Sequence, residues 1–188
     1  KICKKLKINK KKLVVEIASN DGYLLQFFKE KKIPCLGIEP SMNTSRLAKK
    51  KGIKSIDEFF SYSLAKKIKN KADLIIGNNV YAHVPNLNDF TKGIKTLLKK
   101  NGTITLEFPH LLNLIRFSQF DTIYHEHFSY FSLLTVKNIF KKYKLKVFHV
   151  EKLNTHGGSL RVYGCHTNDA RYEKNSVKKI IKEEKQFG

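Results

Sequence analysis

Two short segments hold most of the side chains able to move a proton: Asn78-Asn79-Val80-Tyr81-Ala82-His83-Val84-Pro85 and Tyr124-His125-Glu126-His127. Histidine has the ordinary pKa best placed for general-base work near neutrality, and tyrosine or a second histidine can hydrogen-bond the oxygen of a developing enolate. The chemistry on offer is removal of a proton next to a carbonyl, provided the two segments meet. Two carboxylates, Glu16 and Glu39, stand at or near the ends of apolar runs, where they can accept from a polar ligand. Taken singly, His110, His125, His149 and His166 read as surface or satisfied structural residues.

Whether the segments meet depends on the elements that carry them. Leu13 to Ala18 reads as a buried strand, and Ser19-Asn20-Asp21-Gly22 turns into an amphipathic helix bearing Leu24, Leu25, Phe27 and Phe28. Cys35 to Glu39 is a second strand, stopped by Pro40, with Ser41 capping a helix that runs to Lys51. Strands over Ile53 to Ile56, Asp73 to Gly77 and Thr103 to Phe108 follow, separated by helices over Glu58 to Lys69 and Leu87 to Lys99. Such alternation predicts an α/β domain with a parallel sheet, helices on both faces and right-handed crossovers. His110 to Tyr130 is aromatic without one period and reads as an insertion or lid after the fifth strand. Leu133 to Tyr143 is then helical, and Lys146 to Leu153 pairs through Gly157-Gly158 with a last, antiparallel strand carrying Leu160, Val162 and Gly164. Both proton-moving segments therefore leave carboxyl ends of strands, where open α/β sheets bind ligands. The layout resembles the Rossmann-like class I methyltransferase fold, a doubly wound, mostly parallel seven-stranded sheet with an antiparallel last strand.

On that resemblance, Glu16-Ile17-Ala18-Ser19-Asn20-Asp21-Gly22 is similar to the acidic-x-Gly-x-Gly-x-Gly cofactor loop, with Ala18, Asn20 and Gly22 at the three glycine positions. Alanine is small and asparagine tolerates left-handed backbone angles, so the chain can still approach a ligand closely. Glu39, ahead of Pro40 and about 20 residues beyond the loop, is placed to accept from both ribose hydroxyls, the alternative being a solvated carboxylate at a strand end. A nicotinamide dinucleotide would set its pyrophosphate against a glycine-rich helix start. Asp21 puts a carboxylate there instead, which suits the cationic methionine end of S-adenosylmethionine. Asp57 either accepts from the adenine amino group or caps the next helix, and Asn78 and Asn79 are expected beside the methionine moiety.

The segments Glu16 to Leu25, Gly37 to Pro40, Asn79 to Val84, Phe120 to Phe128 and His156-Gly157-Gly158-Ser159-Leu160-Arg161 together resemble the sugar C-methyltransferases that act on 4-keto deoxysugar nucleotides. The resemblance implies a base that removes the proton beside the 4-keto group, and it assigns that role to His127. By the same implication His83 and Tyr124 hold the enolate or sugar oxygens, and Glu126 orients a histidine or binds the sugar. Tyr81, His156 and Arg161 shape the sugar site, Arg161 being able to meet a phosphate. The carbonyl does the activating, so no metal is required for this step. Members of that family carry an N-terminal cysteine-rich zinc module and a second C-terminal domain, whereas here Cys3 stands alone. The expected organisation is a methyltransferase domain over 1–167, with 168–188 as a linker into a truncated second domain.

At 188 residues and 41% hydrophobic content there is material for one core. The excess of 37 Lys and Arg over 16 Asp and Glu gives a net charge of +21, which raises nucleic acid as a partner. Only Arg46, Arg116, Arg161 and Arg171 carry the planar fork that reads bases and phosphates, and the dispersed lysines fit a solvated surface. The runner-up, an RNA or DNA methyltransferase, is weakened because Asn78-Asn79-Val80-Tyr81 lacks the prolines of the Asn/Asp-Pro-Pro-aromatic turn that holds a base amine. A non-catalytic module keeping the cofactor fold is a further alternative. Cys3, Cys35 and Cys165 share no metal-ligand spacing and are odd in number, so a reducing cytoplasm is expected. No apolar run approaches the roughly 18 to 20 residues of a membrane span.

Overall fold

Strands buried on both faces read as near-continuous apolar runs, and the two at the centre of this sheet do so apart from one acid each, Glu16 and Asp73: Val14–Ile17 is buried throughout and Ala72–Asn78 at every position but the last. The computed structural model describes residues 2–187. Its elements are α1 (Ile2–Leu6), β1 (Val14–Ile17), α2 (Gln26–Glu30), β2 (Cys35–Ile38), α3 (Met42–Lys50), β3 (Lys54–Ile56), α4 (Tyr62–Lys67), β4 (Ala72–Asn78), α5 (Leu87–Leu97), β5 (Leu98–Pro109), α6 (Leu111–Arg116), α7 (Leu133–Lys142), β6 (Leu145–Leu153), β7 (Ser159–His166) and α8 (Asn175–Phe187).

The strands form one seven-stranded sheet in the order β3-β2-β1-β4-β5-β7-β6. β7 runs antiparallel to both neighbours, and the pairs from β3 across to β5 are parallel. This is the class I methyltransferase arrangement expected from the alternation of strands and helices. Strand order reverses between β1 and β4, which opens a crevice above their carboxyl ends. Side chains alternate across the sheet. Val15, Ile17, Ile75, Ile104 and Leu106 face the principal core with Phe90, Ile94 and Phe140, while Val14, Leu74 and Ile76 face a second cluster with Leu25, Phe28 and Ile53. Burying one such Leu, Ile or Phe side chain contributes about 1.5–3 kcal/mol.

Four local expectations are revised. The helix expected from Glu58 begins at Tyr62, capped by Ser61, whose Oγ accepts from Leu64 N at 3.1 Å. Phe60 ahead of it packs edge-on against Phe90, with ring centroids 5.1 Å apart. The insertion after β5 is not wholly irregular, since it contains α6 and a 3-10 turn over Phe120–Thr122. The short helix α1, unforeseen in the sequence, lays Ile2 and Leu6 against Phe148 and Tyr163. Finally, the stretch 168–188, expected to lead away, includes α8, whose Val177 and Ile180 are buried in the principal core. Cys3, Cys35 and Cys165 are free thiols, and no helix among the described residues is long and apolar enough to cross a membrane.

Candidate active site

The loop leaving β1 shows why two of the three expected glycines can be absent. Ala18, Asn20 and Gly22 have φ of 57°, 50° and 76°, so every position where the pattern has glycine is left-handed. Asn20 pays little there and ties itself back, its side-chain amide donating to the Ala18 carbonyl at 3.1 Å. Ala18 bears about 1–2 kcal/mol of strain, held in place by its amide donating to the Ile38 carbonyl at 2.8 Å. At Gly22 a methyl group would collide with Ile53 Cδ1. Gly37 of β2 is required for another reason, because a Cβ there would occupy the space of the Ser19 hydroxyl.

Glu39 closes this side of the crevice. One carboxylate oxygen accepts from Asn20 N at 3.1 Å and the other from Ser41 N at 2.9 Å, so the cofactor loop is fixed to the end of β2. Each oxygen keeps a lone pair for a ligand hydroxyl. Glu16 is 6% exposed, and burial pushes its carboxyl pKa up to about 8. Three buried polar side-chain atoms lack a partner among the described residues: Glu16 Oε2, Ser19 Oγ and Asn79 Oδ1. All three belong to the ends of β1 and β4 or the loops just beyond them, so polar capacity is left open at the switch point. That fits the amino-acid end of S-adenosylmethionine. Next to it lies a mostly apolar cleft of about 400 Å³, with Ile17, Ala18, Ile38 and Pro40 on one side and Phe59 and His83 among those opposite. The apolar walls fit an adenosine.

His83 connects this cleft to the proton-moving groups. Its ring centroid is 4.7 Å from that of His127, which is 4.4 Å from Tyr124 and 5.7 Å from Tyr130. The segments from β4 and the insertion thus meet, joined also by Ser129 N donating to the Ala82 carbonyl at 3.2 Å. His127 Nδ1 lies 2.7 Å from the Thr122 carbonyl. A carbonyl only accepts, so Nδ1 carries a proton in this contact, and Nε2 is the nitrogen left to take up or release one. Burial, and then the neighbouring His127, hold the His83 pKa below its ordinary value, while Glu126 opposes this weakly. Both effects favour the neutral ring at His83, which can donate a hydrogen bond to an oxygen acquiring negative charge.

Other expected residues take different places. Tyr81 was expected at the sugar but is fully buried, its hydroxyl 2.8 Å from Thr91 Oγ1 and its ring stacked on Phe131. The 3-10 turn Tyr81–His83 sends Tyr81 into the core, while His83 lines the cleft. Arg161 alternates with Leu160 and Val162, which face the principal core, so it projects from the other face, between Glu107 and Glu151. Two carboxylates already neutralise it. Asp57 does not cap α4, and its carboxylate is gripped by Lys49 Nζ at 2.8 and 2.6 Å and by Ser45. Asn78 is half-buried at the end of β4, while the Asn79 side-chain amide is 2.8 Å from His156 Nε2, joining the cofactor side to the β6–β7 turn. Glu126 has an exposed carboxylate. Sequence reasoning missed Ser19, Phe59 and the Thr122 carbonyl. Ser19 lay inside a recognised loop, whereas a backbone carbonyl leaves no mark in side-chain pattern.

Comparison with known proteins bears on this geometry. Residues 3–150 match the methyltransferase domain family. The C-methyltransferase NovU of Streptomyces niveus is 32% identical over 179 residues, covering 94% of this chain and 43% of the relative, so the chain spans less than half of that protein. Among solved structures, the PH0226 protein of Pyrococcus horikoshii superposes with a TM-score of 0.69 at 16% identity, covering 88% of this chain and 85% of that one. Magnesium protoporphyrin IX methyltransferase of Synechocystis PCC 6803, with S-adenosylhomocysteine bound, gives 0.64 at 12% identity over 82% and 74% of the two chains. These distant structures speak for the fold. With the family match over most of its length, they place this chain in the class I S-adenosylmethionine-dependent methyltransferases.

Proposed function

We propose that the chain is the methyltransferase unit of an enzyme that methylates carbon in a nucleotide-linked 4-keto deoxysugar. The observation that carries the reading is the contact of His83 and His127 at the edge of the apolar cleft, with His127 Nε2 left free by the Thr122 carbonyl. An imidazole with Nδ1 anchored is suited to take a proton at Nε2 from the carbon beside a ketone. His83 and Tyr124 are the groups that would donate to the resulting enolate oxygen. Glu39 would hold the ribose hydroxyls, and Glu16, Ser19 and Asn79 the methionine end, of S-adenosylmethionine. When bound, that cofactor supplies an electrophilic methyl group, and loss of it to the enolate carbon leaves S-adenosylhomocysteine.

The name of the Streptomyces relative, a C-methyltransferase, supports transfer to carbon. On the same reading, 1–167 form the catalytic domain, and 168–188 run over it and onward to a second domain. His156, beside Asn79, remains assigned to the sugar site, and Glu126 to orienting His83 or meeting the sugar. Incubation with a panel of nucleoside-diphosphate 4-keto-6-deoxysugars in heavy water tests the reading. Deuterium is expected at the carbon beside the ketone with wild-type protein and not with His127→Gln, and adding S-adenosylmethionine should place a methyl group on that carbon. A methyl group found on oxygen or nitrogen, or exchange that persists in His127→Gln, contradicts it.

A further inference from the structure

A buried carboxylate far from the cofactor loop grips both stems of the insertion that carries His127. Glu184, on α8, has a side chain 8% exposed. Its Oε1 accepts from His110 Nε2 at 2.8 Å and from Leu133 N at 2.6 Å, and its Oε2 accepts from Leu134 N at 3.0 Å. His110, itself 1% exposed, is the residue at which the chain leaves β5 and enters the insertion, and Leu133 and Leu134 open α7 where the insertion ends. The two stems also touch through Leu111 N donating to the Phe131 carbonyl at 2.9 Å. Three donors from two separate strands of chain thus converge on one acidic group.

Helix capping accounts for only part of this, because Glu184 meets the two first amides of α7 that Ser132 leaves open, whereas His110 belongs to the other stem. Ser132 already caps α7, its Oγ accepting from Thr135 N at 3.1 Å. Burying a carboxylate is costly until its bonds offset the lost hydration, and an apolar side chain would have joined α8 to the core at lower cost. Val177 and Ile180 do that one and two turns earlier. What the carboxylate adds is direction: its two oxygens fix where the stems stand relative to each other. α8 meets the insertion a second time, the Arg116 guanidinium lying 5.3 Å from the Phe187 ring.

We infer that Glu184 is a positioning residue, which locks the two stems of the insertion and so sets where His127 and Tyr124 stand at the cleft. Its effect on turnover rests on the function proposed above; its effect on the insertion does not. Glu184→Gln is the test, because the amide keeps the shape but offers N–H where an acceptor is needed. Hydrogen exchange should quicken about 10- to 100-fold at the amides of Leu133 and Leu134 and through the insertion, as expected for a lost buried charged bond. S-adenosylhomocysteine affinity should stay within about twofold, since Glu39 and the β1 loop are untouched, while kcat falls about 10- to 100-fold through misplacement of the base. Exchange that stays at the wild-type rate overturns the inference. So does exchange raised across the whole sheet together with lost cofactor affinity, which would make Glu184 a general stability residue. A wild-type chain that binds S-adenosylhomocysteine yet methylates no keto-sugar sinks the proposed function, and the exchange result still decides the role of Glu184.

Discussion

Glu16 and Glu39, on the cofactor side of the cleft, are each 6% exposed, whereas Phe120 and Phe128, on the insertion, are 78% and 61% exposed. The first side is fixed by short-range backbone geometry: a left-handed loop, a glycine cleared for a hydroxyl, and a carboxylate joining two strand ends. The second side hangs from ties to remote parts of the chain, Ser129 to Ala82 and Glu184 to both stems, beside the local bond of His127 to the Thr122 carbonyl. Binding the cofactor asks for a preformed shape. Enclosing a second substrate asks for a segment that can expose apolar surface and then cover it.

If the two sides have separate duties, His127→Gln should give the largest effect. Methyl transfer should fall about 10²- to 10⁴-fold, as for loss of a general base, with S-adenosylhomocysteine affinity unchanged by calorimetry. A parallel loss of affinity would erase the distinction between the sides.

The next effect sharpens the cofactor side alone. Glu16 holds its proton up to about pH 8 in the folded chain against an ordinary value of 4.5. Through that window the folded chain binds more protons than the unfolded one, so stability falls as pH rises across it. A cationic amino group favours the ionised carboxylate, so S-adenosylhomocysteine should bind more tightly as pH rises from 6 to 8. The gain should approach tenfold per pH unit at most, and Glu16→Gln should flatten that slope.

Gly22→Ala should destabilise the fold by about 1–3 kcal/mol in urea titration, through its positive φ and the collision with Ile53. The smallest expected change is Tyr81→Phe. Losing the bond to Thr91 should cost about 1 kcal/mol of stability and leave the KM for sugar unaltered, as befits a core residue. A raised KM would return Tyr81 to the substrate.

The same contrast governs what the sequence makes legible. The succession of strands and helices, the antiparallel β7 and the β1 loop are legible in apolar runs and turn chemistry, which act over a few residues. Glu39 is readable because an acid serving ribose hydroxyls, the role proposed for it, would end the strand beside the loop. The meeting of His83 with His127 could be foreseen from strand topology, since both follow carboxyl ends. Tyr81 could not be placed, because whether a residue in a one-turn 3-10 segment faces inward depends on Phe131, fifty residues on. Arg161 misled for a related reason: its partners Glu107 and Glu151 come from two neighbouring strands, and only the register brings them beside it.

Calorimetric titration of the chain with S-adenosylhomocysteine, beside Glu39→Ala, tests the central claim most directly. The account predicts saturable one-to-one binding, weakened about 10- to 100-fold in the variant by loss of charge-assisted hydrogen bonds. A folded chain that binds no S-adenosylhomocysteine, or binds it equally well without Glu39, would contradict the assignment of the cleft.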